Sequence, residues 1–425
     1  MCNVINFYIN GCQYKLPIVY GTFCEKAINI SKLRENTGFI TLDPGFKNTG
    51  ITKSSISYID GEKGILLYRG YPIEEIINKC SFIETSYLLL NGELPNPTQL
   101  KFFSEKIKKY NHVSQDIHKI LDKYPVFYHP MGILSSLTCI LRSFITTKKN
   151  DNNNHVKEQD LFLHLLAKFP ILAALTYRKK VGLPPSYADK NLDYPSNLLK
   201  MFFSTNKKKY DEFNPVIIDA LDKLLILHAE HEQNCSTTTV RLLSSAHSGL
   251  FSSVSAGICA LWGRLHGGAN EAVIEMLENI LKSGKNVKKW IEMAKNKKNS
   301  FRLMGFGHRI YKNFDPRAKI IENIAEKVIR ELGINNPILE LAKELEDIVM
   351  NDSYFLEKKL YPNIDFYSGI IYQAIGIPKN MFTVMFALGR LPGWMAHWKE
   401  MRLNREPIGR PRQIYVGYKK RKIRN

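Results

Sequence analysis

Hydrophobic and polar positions change their period once along the chain. In the first part, short apolar and β-branched runs at 4–9 and 39–42 are cut by Asn10-Gly11 and by Asp43-Pro44-Gly45, the pattern of strands separated by tight turns. Residues 56–59, Asp60-Gly61 and 64–68 predict a hairpin with a turn of about four residues.

Beyond Pro72 the apolar residues recur at spacings of three and four. They do so over 76–90, 100–110, 130–144, 161–177, 216–228, 251–262, 271–281, 320–332, 338–349 and 381–398. That is the signature of helices with one buried face. Residues 151–154 (Asp-Asn-Asn-Asn) read as a polar loop, and breaks at 295–300 and 351–362 enclose a helical block suited to a smaller lobe. No fixed-period repeat is present. The predicted fold class is mainly α, with a small β-rich N-terminal module.

Composition adds boundaries. The chain has 425 residues, 44% hydrophobic and 24% charged, enough for a sizeable core in one large domain or several smaller ones. No run of about 18 apolar residues appears, so no membrane span is expected. The first residues have neither a cationic start with an apolar stretch nor an Arg- and Ser-rich amphipathic character, so no presequence is expected. The seven cysteines (Cys2, Cys12, Cys24, Cys80, Cys139, Cys235, Cys259) are odd in number, scattered, and form no C-x-x-C pair. A reducing cytoplasm therefore fits better than a disulfide framework or a structural zinc.

The net charge of +20 raises the question of nucleic acid. The lysines fall in short runs, Lys207-Lys208-Lys209, Lys297-Lys298 and Lys419-Lys420-Arg421-Lys422, without an aromatic platform, zinc-finger spacing or helix-turn-helix. Solvated lysine and a field that draws in small anions account for them. Neither nucleic acid nor membrane is an expected partner.

Four stretches hold more His, Arg, Gly and Asn than packing needs: 228–234 (His-Ala-Glu-His-Glu-Gln-Asn), 262–272, 305–317 and 360–369. Gly267-Gly268 places His266 at the N-terminus of a helix starting near Ala269, where the helix dipole favours the neutral ring. The plain alternative for His266 is a buried histidine beside a turn. In Gly-Phe-Gly-His308 the glycines let backbone approach a ligand closely, though a simple loop histidine has the same pattern. Asp365 reads equally as a cap for a helix starting at Phe366. Asp315-Pro316-Arg317 reads as cap, first and second helical positions, and a cation in that first turn calls for a bound anion. Arg390 and Arg410, taken singly, are surface charges. His228 and His231 invite a zinc reading, but no H-E-x-x-H and no third ligand accompany them, so no metal is expected.

Together, in this order and spacing, these motifs resemble those of citrate synthase, in particular the type II form of Gram-negative bacteria. The likeness runs from residue 56 to the C-terminus and more faintly through the N-terminal module. It implies a two-lobed helical fold: a β-rich module over 1–55, a large helical domain over 56–266 and 379–425, and a small helical domain over 267–378. It implies an acyltransferase of the tricarboxylic acid cycle that condenses acetyl-CoA with oxaloacetate and hydrolyses citryl-CoA, with acetyl-CoA a substrate and no cofactor.

By that resemblance Asp365 is the base that removes a methyl proton, His266 holds the thioester oxygen as the enol forms, and His308 donates to the ketone of oxaloacetate. A positioned base contributes on the order of 10²–10⁴-fold, and one preorganised donor about 3–4 kcal/mol, so both are needed for so weak an acid. His231, Arg317, Arg390 and Arg410 are implied oxaloacetate ligands, with Arg410 reaching the neighbouring subunit. Lys312 and Arg309 are implied contacts to CoA phosphates, and main-chain groups of Leu303, Gly305 and Gly307 to its adenine side. The implied assembly is a homodimer at minimum and a homohexamer by the type II likeness.

Some positions depart from the family pattern. Arg264-Leu265 precede His266 where small residues are usual, Glu230 replaces a common Asp, Ser245-Ala246-His247-Ser248 replaces a Gly/Ala/Asn-rich stretch, and Leu391 replaces a frequent Thr. Many Gram-negative relatives are inhibited by NADH at a basic pocket. Here that stretch reads Lys109-Tyr110-Asn111-His112, with His164 where Arg is usual and Lys168 retained, which predicts weakened or absent inhibition. The rival readings are a 2-methylcitrate synthase using propionyl-CoA and an inactive regulatory homologue. The β module argues against the first, and joint retention of His266, His308 and Asp365 against the second.

Overall fold

Asn10 and Gly11 both take positive φ, 50° and 79°, as a two-residue turn matching the twist of paired strands requires. They join Val4–Ile9 to Cys12–Tyr20 in antiparallel register, Val4 facing Pro17 and Ile9 facing Cys12. Lys26–Ile28, a strand too short for its pattern to announce, pairs on the other side of Cys12–Tyr20. Residues 39–42 form no strand. They lead instead into a turn in which Asp43 Oδ2 accepts from the Asn48 N–H (2.8 Å) and the Thr49 hydroxyl (2.5 Å).

This computed structural model describes residues 3–145, 158–205, 213–284, 286–296, 298–299 and 301–423. The polar loop read at 151–154, the run Lys207-Lys208-Lys209 and Lys297 lie outside them. The chain divides into two compact units. One is Met1–Ser54 with Gly409–Asn425; the other is Ser55–Ile408. The last residues thus group with the N-terminal module rather than with the large helical domain expected to hold 379–425.

In the second unit the expected hairpin forms, Ser57–Asp60 against Ile65–Tyr68, and Tyr71–Pro72 adds a third short strand. The helical run expected over 76–90 is two helices, Ile73–Lys79 and Phe82–Asn91. Ser81 separates them by starting a capping box: its hydroxyl accepts from the Glu84 N–H (3.3 Å) and the Glu84 carboxylate accepts from the Ser81 N–H (2.8 Å).

The helix Phe382–Leu403 is buried almost throughout, around Trp394. It packs on Phe82–Asn91, Glu158–Lys180, Pro215–His228, Cys235–Ser245 and Leu250–Leu261. Residues Asp160–Lys180 are long and apolar enough to cross a membrane by composition, unlike the reading from apolar runs, but most of that segment is buried inside this core. A second group of helices, Ala269–Ser283, Val287–Lys295, Pro316–Glu331, Pro337–Met350 and Ile364–Ile375, packs mutually. Pro316–Glu331 also meets Pro215–His228, joining the two groups where the conspicuous histidines lie.

Candidate active site

His308 follows Gly305 and Gly307, whose φ values are 82° and 79°. A Cβ on Gly305 would stand 2.9 Å from Phe366 and Val273, so only glycine lets this loop cross the helix Ile364–Ile375. The His308 ring then folds back on its own backbone. Its Nδ1 accepts from the N–H groups of Ile310 (3.1 Å) and Tyr311 (3.2 Å). That nitrogen is an acceptor, so Nε2 carries the proton and is the donor. Burial, then the Arg317 charge, pushes His308 down to about 4, so the ring is neutral at physiological pH.

His231, on the loop after Pro215–His228, lies with its ring 5.2 Å from that of His308, edge to face. Tyr311 bridges them, its hydroxyl 3.2 Å from His231 Nε2. Burial, with Arg317, His308 and Arg390 nearby, holds His231 well below its usual value.

Arg317 and Asp315 are both buried and form a two-pronged pair, Nε to Oδ1 and Nη2 to Oδ2, each at 2.9 Å. Asp315 also caps the helix Pro316–Glu331 by accepting from the Arg317 N–H. This corrects one expectation. The cation in the first turn is already matched by a carboxylate of its own chain and does not by itself call for a bound anion. Burial works against that cation, yet Asp315 raises its pKa overall.

His266 stands just before Ala269–Ser283, as the Gly-Gly pair predicted. The Ser236 N–H donates to its Nε2 (3.3 Å), with Ser236 Oγ 2.9 Å away. Here Nδ1 carries the proton. Burial, then Arg390 and Arg309, pushes this ring down to about 4. Ser236 is in turn fixed by the Trp394 indole N–H (3.2 Å).

Asp365 belongs to the first turn of Ile364–Ile375 but does not cap it. Asn363 does, accepting from the Asp365 N–H at 3.0 Å. The capping alternative for Asp365 is therefore set aside. Its carboxyl is pushed up to about 6 by loss of water, against the opposing pull of Arg317 and Arg390. Asn363 also donates from its side-chain amide to the Gly307 carbonyl (2.9 Å), and Gly307 N–H donates to the Tyr361 carbonyl (2.7 Å). The loop of His308 and the helix of Asp365 are strapped together.

Arg390 is buried in the helix Phe382–Leu403. Its Nε donates to the His228 carbonyl (2.7 Å), its guanidinium lies 4.9 Å from the Phe386 ring, and its Nη1 has no hydrogen-bond partner among the described residues. Burial pushes it down to about 10. An orphaned, desolvated guanidinium N–H marks Arg390 as a candidate anion site.

Next to it lies a buried polar chain. Glu230 Oε1 accepts from His397 Nε2 and from the Ser57 hydroxyl, each at 3.0 Å. His397 Nδ1 accepts from Arg241 (3.0 Å), which pairs with Glu400 (3.1 Å) and Glu406. Burial raises Glu230, but His397, Arg390 and Ser57 hold it below the usual carboxylate value. Glu230 Oε2 has no hydrogen-bond partner among the described residues.

The remaining expected residues divide. Arg309 and Lys312 are exposed cations beside His308, and Lys312 N–H donates to the Gly61 carbonyl (2.8 Å), so the hairpin turn braces this loop. Leu303 is partly buried. The Gly305 carbonyl and both main-chain groups of Gly307 are engaged within the protein, which leaves little of that backbone open to an adenine. Arg410 is exposed and belongs to the unit that contains 409–425. His228 Nδ1 donates to the Leu224 carbonyl (2.7 Å), so its ring and that of His231 serve different partners. Tyr311, Asp315, Ser236, Phe386 and His397 were missed. Only Asp315, as a cap, had left a signal, and the others become visible through contacts distant in sequence.

Of the departures, Arg264 and Leu265 are exposed. His247, at φ 61°, stands just past the end of Cys235–Ser245. Leu391 is fully buried in the core.

The family model for the citrate synthase C-terminal domain matches residues 45–412. Citrate synthase 1 of Mycobacterium tuberculosis is 48% identical over 412 residues, 97% of this chain and 95% of that protein. The crystal structure of citrate synthase from Pyrobaculum aerophilum aligns with a TM-score of 0.80 at 35% identity, covering 91% of this chain and 97% of the other. Citrate synthase of the archaeon Thermoplasma acidophilum, in ternary complex with carboxymethyl coenzyme A and oxaloacetate, aligns with a TM-score of 0.79 at 32% identity, covering 90% of this chain and 98% of the other.

Proposed function

The chain belongs to the citrate synthase family, and from that premise we propose how its residues carry out the condensation. The enzyme joins acetyl-CoA to oxaloacetate and hydrolyses the resulting thioester to citrate and CoA. Oxaloacetate binds through the free edge of Arg390, through Arg317 and His231, and through Arg410 of a neighbouring copy. His308 Nε2–H donates to its ketone oxygen, leaving the carbon electrophilic. Asp365 removes the methyl proton of acetyl-CoA while His266 Nδ1–H donates to the thioester oxygen. The enol carbon attacks the ketone carbon, and water then cleaves the thioester. Arg309 and Lys312 meet the CoA phosphates.

The observation that carries this reading is the pair of tautomer locks. Two neutral imidazoles are each held by backbone N–H groups so that the other nitrogen must donate, and Asn363 ties the His308 loop to the helix whose Asp365 carboxyl is raised to about 6. Neutral donors stabilise a developing oxyanion without giving up a proton first. The test is CoA release from acetyl-CoA with and without oxaloacetate. Turnover that requires both is expected. Release independent of oxaloacetate, or faster with propionyl-CoA, overturns it.

The finer reading is the type II form: a cytoplasmic homohexamer built from dimers, with residues 267–378 closing as a small lobe over 56–266 and 379–408. Light scattering in solution tests the assembly; a dimer alone refutes the type II assignment. NADH inhibition is weak or absent. Lys168 Nζ donates to the carbonyls of Tyr110 (3.0 Å) and His112, so it is turned inward. His164, stacked 3.8 Å from Tyr110, is pushed by burial to about 4 and is uncharged. Inhibition by micromolar NADH at low salt counts against this.

A further inference from the structure

Arg317 and Arg390, the two buried guanidinium groups assigned to oxaloacetate, have two buried carboxylates near them, Asp315 and Glu230, although the substrate is an anion. Arg317 is neutralised by Asp315 in direct contact. Arg390 has no such contact among the described residues, but Glu230 Oε2 lies against Gly393 of the same helix, and each of the two charges favours the other's ionised form. Glu230 is completely buried, and the backbone that carries it also carries His231 and the His228 carbonyl that binds Arg390. Its Oε1 is fixed by His397 and Ser57, and Oε2 lies against Gly393, one turn from Arg390. Because His397 Nδ1 accepts from Arg241, its Nε2 must be the proton-bearing nitrogen. The hydrogen bond to Glu230 is thus donated by the ring and accepted by the carboxylate.

A pocket meant only to capture a dianion gains nothing from a buried negative charge beside its principal guanidinium. The reaction explains it. Oxaloacetate brings two negative charges, whereas citrate, fully ionised, leaves with three. A site with uncompensated arginines holds the product more firmly than the substrate, and slow release limits turnover.

We propose that Glu230 is a positioning residue whose charge offsets Arg390 so that the trianionic product is released, a role that rests on the oxaloacetate site described above. It touches neither substrate nor reacting atoms. It acts through Arg390, while His397 and Ser57 keep its charge at a fixed distance. A purely structural Glu230 makes the opposite prediction, because loosening the 228–231 backbone weakens every ligand of the site.

The test is citrate inhibition, competitive with oxaloacetate, in Glu230→Gln, which keeps the shape and removes the charge. The citrate inhibition constant is expected to fall by about tenfold or more, the oxaloacetate KM to fall by less, and kcat to drop as release slows. Glu230→Asp draws the charge back by one methylene and is expected to lie between wild type and Glu230→Gln. An unchanged or raised citrate inhibition constant in folded Glu230→Gln overturns the proposal. If Glu230→Gln does not fold, a constant at or above wild type in Glu230→Asp does so. Arg390→Lys separates the two levels. If it leaves the oxaloacetate KM unchanged, the site reading itself fails; if it raises KM while the Glu230 variants do nothing, only the role of Glu230 fails.

Discussion

Asp365 is the residue on which the pH dependence should turn. Its carboxyl is raised to about 6, and only the ionised form is a base, so kcat should decline as pH falls through 6. His266 and His308, both pushed down to about 4, stay neutral there and should not contribute to that acid limb. The sign for stability is reversed. A carboxyl whose pKa is raised by folding favours the fold when protonated and opposes it when ionised. Asp365→Asn should therefore lower kcat by about 10²–10⁴-fold and yet raise Tm at pH 8, measured by calorimetry. Ser236→Ala leaves the backbone N–H to hold His266 but removes the hydroxyl beside it. A smaller loss, about tenfold in kcat, is expected, with oxaloacetate KM little changed. At this scale the candidate site was legible where residue type dictates chemistry. His266, His308 and Asp365 stand out from their motifs, whereas Tyr311 and His397 look like ordinary core residues until partners from other helices reach them.

Among elements, the helix Phe382–Leu403 governs the site more than its pattern suggested. Gly389 and Gly393 are one turn apart, and a Cβ on either would run into the backbone of 225–229 or the Glu230 carboxylate. Those glycines let the helix lie close enough for Arg390 to donate to the His228 carbonyl and His397 to the Glu230 carboxylate. Gly393→Ala should cost about 1–3 kcal/mol by overpacking and raise the oxaloacetate KM, read by denaturant unfolding and by kinetics. The helical period of 381–398 was plain in the sequence, but nothing local distinguishes a glycine that admits a neighbouring backbone from one that merely tolerates a helix. The same limit explains the missed helix Tyr194–Phe203, whose cap at Asp193 was present but whose apolar face is short. Residues 39–42 failed the other way, with strand composition but no strand beside them to pair with.

For the molecule as a whole, the net charge of +20 should act on encounter rather than on chemistry. Both substrates are anions, so kcat/KM at low substrate should fall as ionic strength rises past about 0.1 M, where the Debye length is about 10 Å. Saturated kcat should respond much less; equal sensitivity of both would contradict steering. The helical class and the N-terminal β module were readable from the change of period at Pro72. The grouping of 409–425 with that module was not, because the tail has no periodic pattern to say what it joins.

The double use of Asn363 has a consequence for how this enzyme can change over generations. One amide side chain anchors the turn that carries His308, the proposed donor to the electrophile, and starts the helix that carries Asp365, the proposed base. Neither partner can drift in sequence without the other being re-tuned, so the two halves of the chemistry are inherited as a single block.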